Sequence, residues 1–308
     1  MDITNLKNEG ISMDYINKLC MFNSKVIRKL HAPIEFQRKF NAFRHNRIKK
    51  KLHDYLVNAE YQDKSISNGN SKYIWVFWAQ GYDSMPDLVL KCIETVKKNN
   101  GNAQVILLTA ENFEKYATLP KWVVNKFRNG IISPMYFSDA LRFNLLKNYG
   151  GLWLDATDFV IDEITDDYFS DLCTVSGLPD DEHFFIAEGR WHTALFGGAK
   201  NHPLFQFMDS FFSNYWKEND ESVDYFMTDY ALEYAYQNNI GNFREYIDLN
   251  KGKIDPQFVD LQSHLNDSFN SEQWNNYIKN TKIFKLTYKM KLKKSNDTFY
   301  NFLIKHFV

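Results

Sequence analysis

Polar and apolar positions follow two different rhythms along this chain. Up to about residue 64 the sequence is mostly polar, and the apolar residues recur at helical spacing. Val26, Ile27, Leu30, Ile34, Phe36, Phe40 and Phe43 interrupt a run of charges, which predicts an amphipathic helix broken at Pro33. "SISNGNSK" (65–72) is a polar loop and the clearest boundary. Continuous apolar runs begin after it. "YIWVFWAQG" (73–81), "QVILLTA" (104–110) and "LWLDATDFV" (152–160) read as buried strands. "PDLVLKCIETVKKNNG" (86–101), "ENFEKYA" (111–117), "PKWVVNKFRNG" (120–130) and "SPMYFSDALRFNLLKNYGG" (133–151) read as helices. The last has Ser133 at its cap and Pro134 at its first position.

This strand–helix–strand alternation predicts an α/β fold with a mainly parallel central sheet, open and covered on both faces. Such sheets bind ligands at the carboxyl ends of their strands. "WAQG", "LTAEN" and "DATD" collect there. Three segments are expected: a basic helical N-terminal extension (1–64), a catalytic domain (65–260) and a C-terminal segment packed on it (261–308).

Composition narrows the class. Hydrophobic residues make up 44% and aromatic ones 17% of 308 residues, which is a globular composition rather than a disordered one. No apolar run approaches the roughly 18 residues of a membrane span. The opening "MDITNLKNEG" has neither the basic nor the apolar region of a secretory signal. Cys20, Cys92 and Cys173 form no pair motif, which favours buried thiols in a reducing, cytoplasmic setting.

Net charge is −1, but it is unevenly spread. From Lys25 to Lys51 ten Lys/Arg face one acid, and from Lys279 to Lys305 eight Lys face one acid. Either these are solvated faces or both ends rest on an anionic membrane surface, which would place the protein on the inner face of the cell membrane. No nucleic-acid reading motif accompanies the basic runs.

The chemistry concentrates in "SDALRFNLLKNYGGLWLDATDF" (138–159). Asp139 and Arg142 are three apart on a helix and share a face. Gly150 and Gly151 permit an abrupt reversal. Trp153, Asp155 and Thr157 then fall on one strand face, with Asp158 on the other unless the strand has ended. An Asp at a strand end is a hard oxygen ligand suited to Mg²⁺ or Mn²⁺, and such an ion would neutralise a diphosphate.

"SDALRFNLLKNYGGLWLDAT" resembles the signature of the capsular polysaccharide synthesis glycosyltransferases. These are relatives of the DxD-containing sugar transferases that include initiating mannosyltransferases and clostridial glucosylating toxins. "YIWVFWAQG", "NHPLF" and "DYFMTDY" extend the resemblance over roughly residues 73 to 235. "KLTYK" (285–289) is similar more weakly.

The resemblance implies a GT-A type nucleotide-sugar fold. It implies transfer of a hexose from a nucleotide-diphosphate sugar, a UDP-hexose above all, to a growing glycan or lipid-linked glycan, with retention of configuration. Trp78 matches the aromatic that stacks on the donor base, and Gln80 can add hydrogen bonds. Asp139 and Arg142 match the pair that holds the donor sugar. Asp155 matches the first Asp of the DxD and, with Thr157, the metal site. Thr157 stands where the toxins have the second Asp, so a divalent cation (Mn or Mg) would be held less tightly. Asp229 falls among the catalytic residues. Trp191, His192 and Asp224 fall on the acceptor side, against the plainer readings of a structural His and a solvated helix face. In "KIFKLTYKMK", Lys285 and Lys289 on one strand face are placed to cap the diphosphate or to form a basic surface.

Two classes of function follow. One is a sugar-transferring enzyme. The other is a non-catalytic sugar-nucleotide or glycan-binding subunit of a synthesis complex, which Thr157 favours. Donor hydrolysis without acceptor separates them.

Overall fold

The computed structural model describes residues 13–63, 72–293 and 297–308. The polar N-terminal extension forms two helices, α1 (Met13–Lys29) and α2 (Ile34–Val57). They part where Pro33 caps α2, because proline cannot continue a helix from the residue before it. The expected loop at 65–72 lies almost wholly outside the described residues.

The apolar runs form the expected buried strands: β1 (Tyr73–Phe77), β2 (Gln104–Leu108) and β3 (Gly151–Leu154). The segments between them are α3 (Asp87–Lys98), α4 (Lys121–Arg128) and α5 (Pro134–Tyr149). "ENFEKYA" is shorter than expected, a single 3₁₀ turn over Phe113–Lys115. Ser133 occupies the N-cap position of α5 with no side-chain cap bond, and Pro134 stands in its first turn.

The remaining strands are β4 (Asp158–Val160), β5 (Leu172–Thr174), β6 (Leu195–Gly198) and β7 (Ile283–Lys285). The main sheet runs β2-β1-β3-β6-β5. β1 pairs parallel with β2 and with β3, as the βαβ rhythm requires. The other half corrects the expectation of a mainly parallel sheet. β6 runs antiparallel to β3 and to β5, so the sheet is mixed. The reason is local: no crossover helix separates β5 from β6, only an irregular loop (175–194). β4 leaves this sheet and pairs antiparallel with β7.

Both faces of the sheet are covered. Trp75, Phe77, Trp153 and Phe196 pack with Phe137, Leu141 and Leu145 of α5 and with the aromatics of α6 (Pro203–Glu218). Ile74, Val76, Leu152 and Leu154 point the other way, onto Val89, Ile93 and Val96 of α3. This is the period-2 alternation of a strand buried on both sides. A core side chain such as Phe143, fully buried, contributes about 1.5–3 kcal/mol by leaving water.

The other helices are α7 (Met227–Gln237), α8 (Phe243–Asn250), α9 (Ser271–Tyr277) and α10 (Phe299–Phe307). The last two pack a third apolar cluster onto Phe159, Phe284, Leu88 and Cys92. All three cysteines are free and buried. Among the described residues no helix is long and apolar enough to cross a membrane.

The Gly150–Gly151 reversal is built into the fold. Both residues have positive φ, 71° and 96°. A Cβ on Gly151 would collide with the Tyr73 carbonyl oxygen, and one on Gly150 with the backbone at Lys200. Only glycine lets α5 turn straight into a strand lying against β1.

Candidate functional site

A cavity of about 750 Å³ opens beyond the carboxyl end of β3. The strand pairing explains who lines it. Leu154 pairs with Leu195 in the antiparallel β3–β6 ladder, and the Asp155 N–H donates to the Ala194 carbonyl oxygen at 3.0 Å. The segment entering β6, Trp191–Thr193, is therefore delivered beside Asp155. α5 supplies Asp139 and Arg142 from the same side, α7 supplies Asp229, and β7 supplies Lys285.

At the centre lies a chain of alternating charges. Arg142 Nη1 is 3.2 Å from Asp139 Oδ1, and its Nη2 donates to Asp155 Oδ1 at 3.3 Å. Lys285 Nζ donates to Asp155 Oδ2 at 2.6 Å and lies 3.5 Å from Asp158 Oδ1. Trp153 Nε1–H also donates to Asp155 Oδ1, at 3.0 Å. The Arg142 guanidinium stacks over the Trp153 ring at 4.9 Å. Its side chain is only 3% exposed, so the Asp139–Arg142 pair is a buried link and not a solvated intrahelical bridge.

These contacts set the protonation states. Asp155 is held down at about 2, because Lys285 first and Arg142 second outweigh its burial. Asp158 moves the other way, to about 8, driven by burial, with the Asp155 charge adding to it against Lys285. Burial likewise raises Asp139 above the usual carboxylate range. The Lys285 ammonium is stabilised by Asp155 and then Asp158, which overcome its desolvation.

The sequence places Thr157 on the Asp155 face, and the structure corrects this. β3 ends at Leu154, and a turn follows in which the Asp155 N–H donates to Asp158 Oδ2 at 3.0 Å and the Asp158 N–H to the Asp155 carbonyl at 2.9 Å. Strand alternation stops there. Thr157 is 8% exposed and does not line the cavity. Asp158, fully buried, turns toward Lys285 instead, because Asp158 and Lys285 are paired directly across the β4–β7 ladder.

The donor set bears on the expected divalent cation. Both Asp155 oxygens are taken by cationic or N–H donors, and Asp158 Oδ2 accepts a backbone N–H. Among the described residues no group of three His, Cys, Asp or Glu side chains converges as a metal site would. This arrangement does not fit a two-residue Asp155/Thr157 metal site.

The other side of the cavity carries Trp191, His192 and Asp229. Trp191 Nε1–H donates to Asp229 Oδ1 at 3.0 Å. Burial raises the Asp229 carboxyl to about 7, with the nearby Asp139 charge adding to the rise. His192 Nδ1 accepts the Ala194 N–H at 3.2 Å, which leaves its proton on Nε2. Burial, then Lys285, lowers it to about 4, so it is neutral.

Besides Thr157, four expected site residues lie outside this lining. Trp78, with Gln80 beyond it, sits after β1, and its ring meets Tyr288 edge-on at 5.5 Å. Lys289 is exposed, because β7 ends at Lys285 and the strand face it would share with Lys285 does not exist. Asp224 precedes α7 instead of lying on it, and its Oδ1 accepts the Phe226 N–H at 2.9 Å. That bond is a turn contact.

The residues sequence reasoning missed come from non-local packing. For Asp158 the sequence leaves two orientations open, and the end of β3 at Leu154 decides between them. Arg28 of α1, Asp180, Asp181 and Phe185 of the 175–194 loop, and Thr228 also line the cavity. "LPDDEHFF" (178–185) was the available signal, since an acidic cluster beside aromatics between two strands marks a functional loop. Arg28 pairs with Asp181 at 2.7 Å, tying the N-terminal helices to that loop.

Comparison with known proteins agrees with the sequence signature. An O-glycosyltransferase of Annulohypoxylon truncatum (braB) is 30% identical over 106 residues, 32% of this chain and 25% of that protein. The chain thus spans about a quarter of the length of this curated relative. Among solved structures it is similar to the PaToxG glycosyltransferase, with a TM-score of 0.40 and 14% identity over 80% of this chain and 95% of that one. The family described as capsular polysaccharide synthesis protein matches residues 25–303, so the chain belongs to that family.

Proposed function

We propose that this protein is a glycosyltransferase of GT-A type that moves a hexose from a nucleotide-diphosphate sugar, a UDP-hexose, to a growing capsular or exopolysaccharide acceptor, with retention. The observation that carries the reading is the charge chain Asp139–Arg142–Asp155–Lys285 at the carboxyl end of β3, facing Trp191, His192 and Asp229 across one cavity. A ligand that is anionic at one end and rich in hydroxyls at the other suits these two walls. Arg142 and Asp139 bind donor sugar hydroxyls, since a guanidinium fork and a carboxylate pair with vicinal oxygens. Trp78 and Tyr288, three residues beyond Lys285, supply flat rings for the base. Asp229 bonds the acceptor hydroxyl and exchanges its proton near neutrality, because its carboxyl titrates at about 7. Trp191 fixes that carboxyl through its N–H, and neutral His192 offers an Nε2–H donor.

The acceptor is lipid-linked and the protein works at the cytoplasmic face of the membrane. Support comes from the α1–α2 hairpin, which exposes Leu30 and Ile34 to 74% and 58% beside Lys25 and Lys29, while Arg28 between them lines the cavity. The test is a screen of nucleotide sugars for slow hydrolysis without acceptor. Turnover of one donor supports an enzyme. Saturable binding with no turnover of any donor would make the chain a binding subunit.

A further inference from the structure

Resting on the nucleotide-sugar reading, we propose that the Lys285 ammonium is the cation of this site: it occupies the position between the strand-end carboxylates, and it neutralises the donor diphosphate so that binding needs no divalent ion. Three observations lead there. Lys285 Nζ lies 2.6 Å from Asp155 Oδ2 and 3.5 Å from Asp158 Oδ1, joining two carboxylates as a shared cation does. The position is dictated by the fold, because β7 pairs Lys285 with Asp158 and the Lys285 N–H is tied to the Phe258 carbonyl oxygen at 2.7 Å. Lys285 also reaches the cavity, where Asp155 is its neighbour in the lining.

An ammonium has three N–H donors. Asp155 takes one and Asp158 borders a second, which leaves the third for a phosphate oxygen. The geometry favours this use: Lys285 and Arg142 both contact Asp155, and Lys285 and Asp155 line the cavity together. A divalent ion would first have to displace a buried ammonium from Asp155, and Thr157 offers it no second ligand on the cavity side.

In the transfer step the bond between the donor sugar C1 and the β-phosphate oxygen breaks, and its electron pair goes to that oxygen. The acceptor hydroxyl oxygen bonds to C1, and its proton passes to the Asp229 carboxylate. The departing UDP gains one negative charge, and Lys285 is the fixed positive charge beside it.

The experiment is calorimetric titration of UDP into the full chain, once in EDTA and once in millimolar Mn²⁺. Wild type is expected to bind with affinities within about threefold of each other in the two buffers. Lys285→Met, checked for folding by circular dichroism, should lose at least tenfold in EDTA, and Lys285→Arg should retain part of the affinity. More than tenfold weaker binding of wild type in EDTA would overturn the proposal, as would unchanged UDP binding by Lys285→Met. Mn²⁺ alone, titrated into wild type and followed by electron paramagnetic resonance, covers the case of a misfolded variant. Submillimolar Mn²⁺ binding without nucleotide would also sink the idea. If UDP and the other nucleoside diphosphates bind in neither buffer, the nucleotide-sugar reading fails and this inference falls with it.

Discussion

Arg142 on α5 and Asp155 beyond β3 are thirteen positions apart and meet at 3.3 Å, because the chain between them folds back through Gly150 and Gly151. The guanidinium thereby spans two carboxylates, Asp139 and Asp155. Arg142→Lys keeps the charge but replaces a planar fork with one point donor, so it cannot hold both. Donor turnover should fall at least tenfold while UDP affinity stays within about threefold, since Arg142 is assigned to the sugar. Parallel kinetics and UDP titration check this, and an equal loss of both would place Arg142 elsewhere.

Asp155 joins more groups than any other residue of the site. Asp155→Asn should lower turnover more than tenfold, over about 1.4 kcal/mol of barrier. It should also destabilise the fold. Losing one partner of a fully buried pair costs about 3–5 kcal/mol, and partial exposure of Asp155 reduces this to about 1–3 kcal/mol. Chemical denaturation of both proteins measures the difference. Wild-type stability in the variant would mean that Arg142 and Lys285 do not depend on this carboxylate.

Asp229 makes the protein sensitive to pH. Its carboxyl is raised from 3.8 to about 7, mainly by burial. A carboxyl raised on folding contributes stability that is complete below the unfolded value and is lost as pH rises through the folded one. Stability should therefore decline between about pH 4 and pH 7. Asp229→Asn should flatten that decline and remove the inflection near pH 7 from the donor-hydrolysis profile. Thermal melts across the range, with rates at each pH, decide it. An unchanged slope in the variant would assign the titration to another group.

The Gly151 turn sets the registration of the whole site. Gly151→Ala meets both a φ of 96° and the Tyr73 carbonyl oxygen. It should cost about 2 kcal/mol or more and reduce expression of soluble protein. A melting temperature equal to wild type would show that β1 and β3 can separate without loss.

How much of this was legible depended on range. Residues whose role follows from local rhythm were readable: β1, β2 and the α5–β3 turn come from apolar continuity, Pro134 and the glycine pair. Asp139, Arg142 and Asp155 followed because one motif contains them. Thr157 leaves the Asp155 face and Asp158 meets Lys285 because β3 ends at Leu154, and strand alternation does not carry through the turn that follows. The antiparallel half of the sheet was hidden because β5 and β6 are each only three or four residues long, with no crossover helix as a signal. The sequence left Lys285 open between capping a diphosphate and lying on a basic surface, and only its pairing with Asp158, 127 positions away, turns it inward. Arg28 and the 175–194 loop reach the cavity through tertiary packing, which no local pattern encodes.

The α1–α2 hairpin carries the last prediction. Leu30 and Ile34 stand exposed at its tip, and Phe22 and Phe36 extend the apolar surface. Lys25, Lys29 and His31 line a shallow groove with Ile34. Apolar tips ringed by cations fit an anionic bilayer, where the side chains enter the headgroup boundary and each lysine near the surface contributes about 1 kcal/mol. The protein should therefore sediment with vesicles containing phosphatidylglycerol and far less with pure phosphatidylcholine. Salt should weaken the association, because exposed charges are screened over a Debye length of about 10 Å at 0.1 M. Leu30→Glu with Ile34→Glu removes two insertions that are each worth at most about 1.5–3 kcal/mol when fully buried, so at least a tenfold loss is expected. Both positions lie outside the core and the cavity, so UDP binding and the melting temperature should not change. Equal sedimentation with both kinds of vesicle, or a double variant that binds as well as wild type, would show that the hairpin tip serves another partner. Self-association through the tip would appear as a concentration-dependent mass in light scattering that the same double variant abolishes.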